Sequence, residues 1–299
     1  MCFGSVLLIF LLAFQTGQQT DPLFEELPSN YTGIDFKNTL VEGVGNNILD
    51  TEFFYNGGGV AVGDLNGDGR TDIYFTANQG DNALYINEGN FQFRNRTTSA
   101  GVNDTGGWSA GVMMGDINGD GLLDLYVCKA GKVPVEERRN KLFINQGINE
   151  QGVPEFREMA AEFGLDDPGY CTQSAQIDYN RDGLLDLFIV NYNTRDFTRF
   201  DITTIRNETD RFAGDKLYRN NGDGTFTNVS EEAGIHQNPI GFGLSATVSD
   251  LNDDGWPDIY VTNDYMERDY MYINQGEGTF SDEIPVSYTH LTLPTIYSV

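Results

Sequence analysis

Short apolar runs recur along residues 57–285 at a spacing that predicts β-strands. The runs are rich in β-branched and aromatic side chains, and glycine, asparagine or aspartate stands at their ends. Four runs make one unit, and the unit occurs four times. The predicted first strands are Gly59–Val62, Ala110–Met114, Ser174–Ile177 and Ser245–Val248. The second are Ile73–Phe75, Leu125–Val127, Leu187–Val190 and Ile259–Val261. The third are Asn82–Asn87, Asn140–Asn145, Asp215–Asn220 and Asp269–Asn274. The fourth are Phe91–Phe93, Glu155–Arg157, Thr225–Val229 and Thr279–Ser281.

Four units of four strands predict an all-β chain. Corresponding positions 64, 116, 178 and 250 lie 52, 62 and 72 residues apart. Repeats of four antiparallel strands are typical of β-propeller blades. The runs are continuously apolar, which fits sheets that are covered on both faces.

A nine-residue motif, Asp-x-Asn-x-Asp-Gly-x-x-Asp, separates the first and second strand of every unit. Oxygen side chains at positions 1, 3, 5 and 9 suit Ca²⁺, which takes roughly 6–8 oxygen ligands, and the glycine allows the sharp turn. The side chains predicted to bind Ca²⁺ are Asp64, Asn66, Asp68, Asp72, Asp116, Asn118, Asp120, Asp124, Asp178, Asn180, Asp182, Asp186, Asp250, Asn252, Asp254 and Asp258. We expect this ion to stabilise the fold and not to catalyse.

An EF-hand begins in the same way but needs a glutamate at position 12 and a helix on each side. Position 12 here is Phe75, Val127, Ile189 or Val261, each inside a predicted strand. A single such cluster would indicate an ordinary turn. Four copies in the same strand context favour a metal-binding loop.

The acidic composition limits the partners. The formal net charge is −27, which argues against nucleic acid or an anionic membrane as an electrostatic partner. Three cysteines make no disulfide framework. Cys128 ends an apolar run, which favours a buried thiol, while a Cys128–Cys171 disulfide stays open as an alternative.

The two ends of the sequence differ from the repeats. The apolar run Val6–Phe14 has the length of a signal-peptide core, so residues 1–20 predict export. Residues 21–56 are interpreted as an approach segment of short strand or coil packed on the first unit. Val286–Thr295 resembles a translated sequencing adaptor, so residues 286–299 are interpreted as a non-native tail that truncates the repeats.

The connections between the second and third strands grow along the chain. They are Ala77–Asp81, Lys129–Arg139 and Asn191–Gly214. These loops should lie on the face opposite the metal-binding loops. Long insertions at one position often mark a binding face, although a tolerated idle loop is equally ordinary.

Catalytic signals are weak. Gly107–Gly111 matches the Gly-x-Ser-x-Gly elbow, but a nucleophile elbow needs a helix after the serine, and a strand is predicted here. His236 is the only histidine before the tail, so a Ser–His site has little to work with. A glycosidase carboxylate pair stays open on spacing alone.

Residues 57–284 resemble FG-GAP or VCBS repeats, the blades of integrin-α-like propellers. The resemblance implies a seven-bladed propeller with Ca²⁺ between the first two strands of several blades. It also implies that the position-7 carbonyls of Arg70, Leu122, Leu184 and Trp256 join the ligands. Stretches such as Gly121–Cys128 and Ala213–Asn220 further resemble exported bacterial ASPIC/UnbV-containing proteins, which are similar to cartilage acidic protein.

Three functional hypotheses follow. The first is a calcium-stabilised extracellular, cell-surface or periplasmic module that binds a glycan or a protein through the loops opposite the calcium loops. The second is the propeller of a carbohydrate-active enzyme, and a structural spacer is a third reading. We predict no catalytic residue, no nucleic acid partner and no membrane span after signal removal. Further C-terminal domains of the same chain are expected partners.

Overall fold

The computed structural model describes residues 23–51, 53–194, 202–265 and 267–284. The predicted signal peptide and tail therefore lie outside the described residues. Short helices occur only at α1 (Ser29–Thr32), α2 (Thr97–Ala100), α3 (Ala160–Phe163), α4 (Ile202–Ile205) and a 3₁₀ turn (Val135–Glu137) within this part of the chain. None of the helices in the described ranges is long and apolar enough to cross a membrane.

The described residues form four separate four-stranded sheets. Unit 1 contains β1 (Val60–Gly63), β2 (Asp72–Phe75), β3 (Ala83–Gly89) and β4 (Gln92–Asn95). Unit 2 contains β5 (Ser109–Gly115), β6 (Asp124–Lys129), β7 (Lys141–Ile148) and β8 (Pro154–Glu158). Unit 3 contains β9 (Cys171–Ile177), β10 (Asp186–Asn191), β11 (Lys216–Asn220) and β12 (Phe226–Asn228). Unit 4 contains β13 (Gly243–Ser249), β14 (Asp258–Asn263), β15 (Tyr270–Asn274) and β16 (Phe280–Asp282).

Each sheet is an antiparallel meander in which the strands pair in chain order. The first strands of successive sheets contact one another, so β1, β5, β9 and β13 lie along a common inner side. The prediction of an all-β chain built from four-stranded antiparallel blades is confirmed. A ring of seven blades stays a prediction.

Three apolar cores lie between the sheets. Along β6, Leu125 and Val127 pack in the core shared with unit 1, whereas Tyr126 and Cys128 pack in the core shared with unit 3. Alternate residues of a strand point to opposite faces, so a strand between two neighbours needs apolar residues at every position. This arrangement explains the continuous apolar runs of the sequence.

The connectors between units close on glycine. Gly101, Gly164 and Gly234 have φ values of 76°, 75° and 77°, a left-handed conformation that favours glycine. A Cβ atom on Gly234 would also lie 2.8 Å from the carbonyl oxygen of Phe280 in the next unit. The recurring small-Gly-aliphatic connector therefore lets each unit approach the last strand of the next one.

The approach segment reaches beyond the first unit. Phe36 stacks on Phe75 of unit 1 with ring centroids 4.9 Å apart. Further along, the ring of Phe53 lies 4.7 Å from Tyr192 of unit 3 and 4.2 Å from Phe242, which precedes β13. The segment thus crosses the end of the inner strands and ties the units together there.

Candidate functional site

The four metal-binding motifs form loops between the first and second strands, here called loops 1 to 4 (residues 64–72, 116–124, 178–186 and 250–258). In loop 1, Asp64 Oδ1 accepts a hydrogen bond from the Asp68 N–H at 3.1 Å, and Oδ2 accepts one from Gly69 at 2.7 Å. Loops 2 and 4 repeat both bonds. The position-1 carboxylate is therefore turned into the loop.

Positions 3 and 5 complete the turn in the same way in every loop. In loop 1, Asn66 Oδ1 accepts the Asp68 N–H, and Asp68 Oδ1 accepts the Arg70 N–H. The position-3 amide also donates to the position-5 carboxylate in all four loops. The residue at position 7, whose carbonyl is a predicted ligand, donates its backbone N–H to the position-5 carboxylate in each loop.

The position-9 aspartates lie buried at the base of the loops. Asp72 Oδ2 accepts the Leu65 N–H at 2.9 Å, and Oδ1 accepts the Asn87 N–H on β3 at 2.8 Å. Asp124, Asp186 and Asp258 repeat this pair of bonds. Burial raises the pKa of Asp72 and Asp124 to about 6 and that of Asp186 to about 7, with nearby carboxylates adding to the rise. Each of these residues thus joins its own loop to the third strand of the same sheet by hydrogen bonds.

The loops fit Ca²⁺ by donor chemistry. The side chains at positions 1, 3 and 5 are all oxygen donors of the kind that hard cations prefer. In loop 3, Asp178 Oδ1 is buried and has no hydrogen-bond partner, which leaves an acceptor for a cation. No group of three His, Cys, Asp or Glu side chains is gathered as a metal site within the described residues. Calcium binding therefore stays a proposal.

The asparagine that ends each predicted third strand has a role that local sequence patterns did not predict. Asn145 Nδ2 donates to the Leu65 carbonyl of unit 1 at 2.9 Å and to the Leu123 carbonyl of its own unit at 3.1 Å. Asn220 and Asn274 bridge the preceding loop in the same way. The signal was present, because an asparagine closes every predicted third strand.

The opposite end of each blade is also closed by a recurring side chain. An Asn or Asp lies immediately before the third strand of each unit, and its side-chain oxygen accepts a hydrogen bond from a backbone N–H at the end of the second strand. The acceptors are Asn82, Asn140, Asp215 and Asp269. The loop between these strands is pinned at its base whatever its length, which explains why insertions are tolerated there.

Asp215 provides a pH-dependent prediction. Its carboxyl is buried, and burial raises its pKa from 3.8 to about 7. Between these values the folded state holds a proton that the unfolded state has lost, so this residue's contribution to stability falls as pH rises. We expect Asp215→Asn, which copies Asn82 and Asn140, to be more stable than wild type by about 1–3 kcal/mol near pH 8 and similar near pH 5. Urea unfolding at both pH values tests this, and a difference that does not change with pH would contradict it.

A cavity of about 430 Å³ lies at the end of the inner strands that is opposite the ion loops. Its lining includes Val60, Val112, Gln173 and Leu244, one residue from the first strand of each unit. Three aromatic rings complete the wall: Phe53, Trp108 and Tyr192. Tyr192 in turn belongs to a larger aromatic cluster with Tyr170, Phe242 and Tyr265. The lining combines apolar and polar groups in nearly equal shares.

The residues weighed for catalysis have structural roles. Ser109 begins β5, and its hydroxyl donates to Asp104 Oδ2 at 3.1 Å beside the buried Lys129. His236 Nε2 lies 3.1 Å from Asp282 Oδ2. Cys128 and Cys171 are buried free thiols, and burial raises the pKa of Cys171 well above its usual range.

Comparison with curated proteins finds cartilage acidic protein 1. The mouse (Mus musculus) protein is 27% identical over 227 residues, covering 76% of this chain and 32% of the relative. The human (Homo sapiens) protein is 27% identical over 230 residues, covering 76% and 31%. The Xenopus tropicalis protein is 29% identical over 213 residues, covering 70% and 29%. The chain thus spans about a third of the length of the relatives it matches.

A solved structure of an Agrocybe aegerita lectin that recognises non-reducing terminal N-acetylglucosamine is also similar. Its TM-score is 0.39 at 20% identity, over 75% of this chain and 51% of that chain, which is too low to carry an argument about fold or ligand.

The family model described as an FG-GAP-like repeat matches residues 64–127, 178–261 and 250–299, which is more than half of the chain. The matches include all four ion loops and all or most of the second strand of each unit. This chain therefore belongs to the FG-GAP-like repeat family.

Proposed function

We propose that this chain is a calcium-stabilised, non-enzymatic binding module of an exported protein. Its ligand site is the cavity at the end of the inner strands opposite the ion loops, here called the axial cavity. The observation that carries the proposal is the cavity itself, because all four units and three aromatic rings contribute to one lining. The ligand class that fits best is a glycan, since the half-buried Phe53 ring can cover the apolar face of a sugar ring while Asn56, Thr172 and Gln173 supply polar groups.

Filling the cavity tests the ligand site. Val60 and Val62 lie on β1 and are 58% and 60% exposed, but only Val60 lines the cavity. We expect Val60→Trp to lower binding on a glycan array by about tenfold or more, because the indole occupies ligand space, while Val62→Trp serves as the matched control. Equal loss in both variants would contradict the proposed location.

The same experiment separates the alternatives. Binding of the wild-type chain to proteins but not to glycans would replace the glycan by a protein ligand. Oligosaccharide release that Val60→Trp abolishes would favour the carbohydrate-active enzyme over the binding module.

Chelation tests the role of calcium. Extracellular modules hold Ca²⁺ with dissociation constants of about 10⁻⁴–10⁻³ M, so each loop would add about 0.4–1.4 kcal/mol of stability at ~1 mM Ca²⁺. Four loops together should raise the melting temperature by several degrees, and EDTA should remove this increment.

Asp68→Ala should remove mainly the part of this increment that loop 1 contributes. Asp223→Ala, in the exposed β11–β12 turn, should not change the calcium-dependent increment. A melting curve that EDTA leaves unchanged would contradict calcium binding.

A further inference from the structure

Successive ion loops face each other across a recurring groove. One wall is position 4 of the earlier loop, and the other wall is position 7 of the later loop. Between loops 3 and 4 these residues are Arg181 and Trp256, and the Arg181 guanidinium carbon lies 4.0 Å from the centroid of the indole ring. A Cβ atom on Gly255 would lie 3.1 Å from Arg181 Nη2, so the guanidinium rests against the backbone of loop 4. This groove is filled by an arginine of the chain itself.

The groove between loops 2 and 3 has the same walls without the arginine. We call it the loop 2–3 groove, and it has a volume of about 180 Å³. Its position-4 wall is Gly119, which has no side chain, and its position-7 wall is Leu184. Leu184 and Trp256 sit on equivalent glycines: Cβ atoms built on Gly222 and Gly276 would lie 3.2 Å from Leu184 Cδ1 and from the indole, respectively. The equivalent groove is therefore filled by an arginine between loops 3 and 4 and is open between loops 2 and 3.

The chemistry of the open groove suits a guanidinium group. Asp182 at position 5 precedes Leu184 by two residues, and the equivalent Asp68 of loop 1 pairs through Oδ2 with the Arg70 guanidinium. The net charge of −27 also attracts basic partners. Leu184 offers an apolar surface for an alkyl stem. A volume of 180 Å³ corresponds to roughly six waters, enough for one long side chain. A planar fork that pairs with carboxylates and packs flat distinguishes arginine from lysine.

We propose that the loop 2–3 groove binds an arginine side chain presented by a basic segment of a partner protein. The site is on the opposite end of the blades from the axial cavity, and it requires neither that cavity nor its ligand.

A short peptide titration tests the proposal. The probes are acetyl-Gly-Arg-Gly-amide and the same peptide with neutral citrulline, added to the full chain in millimolar calcium chloride. The readout is the amide NMR shifts of Gly119, Gly183 and Gly222, which line the groove. We expect saturable shifts with the arginine peptide and at least about tenfold weaker binding of the citrulline peptide.

Filling the groove supplies the variant. Gly119→Arg alone, and Gly119→Arg with Leu184→Trp, place an arginine of the chain itself in the groove, and we expect each to weaken binding of the arginine peptide at the Gly183 and Gly222 amides by about tenfold or more. Arg181 has φ 57° where Gly119 has 77°, so the loop accommodates arginine at this position. Gly67→Arg in loop 1, the equivalent position-4 substitution, is the matched control and should retain wild-type affinity at these amides. Unchanged affinity in a folded Gly119→Arg variant, or equal binding of both peptides, would overturn the proposal.

Discussion

Replacing Lys129 with methionine is expected to lower the free energy of unfolding by about 3–5 kcal/mol. The Lys129 side chain is 1% exposed, and its ammonium group lies 2.6 Å from Oδ2 of Asp104, whose side chain is 7% exposed. It also donates to the Gly106 carbonyl and to Ser109 Oγ. Methionine would leave the Asp104 carboxylate buried without its cation. Urea unfolding monitored by circular dichroism measures the change.

Two further variants define the cause. Arg157→Met breaks an ion pair with Glu162 whose side chains are 61% and 54% exposed, so its cost should stay below about 1 kcal/mol. Adding Asp104→Asn to Lys129→Met removes the orphaned charge and should recover part of the loss. If Lys129→Met costs no more than Arg157→Met, the buried pair does not hold the connector to unit 2.

Replacing Asn145 with alanine is expected to cost about 2–4 kcal/mol of unfolding free energy. The change removes the bonds to the Leu65 and Leu123 carbonyls and the one that Asn145 Oδ1 accepts from Gly147 at 3.0 Å. Leu65 belongs to the loop of the preceding unit, so the variant separates adjacent blades at the ion-loop end. The same denaturant titration gives the value.

Asn87→Ala is the matched control because Asn87 occupies the equivalent position in unit 1. Its amide donates to Thr71 within the same unit, and its Oδ1 accepts the Gly89 N–H. The local bonds are alike, whereas the bond to another unit is absent from its described contacts. We expect Asn87→Ala to cost less, by about 1–2 kcal/mol. Equal costs would show that the inter-blade bond adds nothing.

This bridge gives the ion loops a role beyond their own blade. The position-2 residue of a loop packs in the core shared with the next unit, as Leu65, Ile117 and Tyr179 do. Its carbonyl accepts the asparagine of the next unit, and its N–H binds the position-9 aspartate of its own loop. A cation that orders one loop would therefore also stabilise the contact with the following blade.

Much of the fold follows from local pattern. The predicted strands agree with the observed ones to within a few residues at each end, because strand formation here depends on short apolar runs bounded by glycine and aspartate. The internal repeat strengthened this reading, since the same four runs returned in each unit. The short helices α2 and α3 are not predicted from the sequence, because four residues are too few to show a helical period.

The chain alone determined which residues form strands, where the aspartate-rich loops fall and which face carries the variable insertions, because each depends on neighbours within about ten residues. Tertiary structure decided the rest. The Lys129–Asp104 pair, the Asn145 bridge and the insertion of Phe53 beside Tyr192 join residues 25, 80 and 139 positions apart. The axial cavity likewise needs one strand from each of four units. No local pattern encodes such contacts, because they arise only when packed sheets bring distant side chains together and bury them away from water.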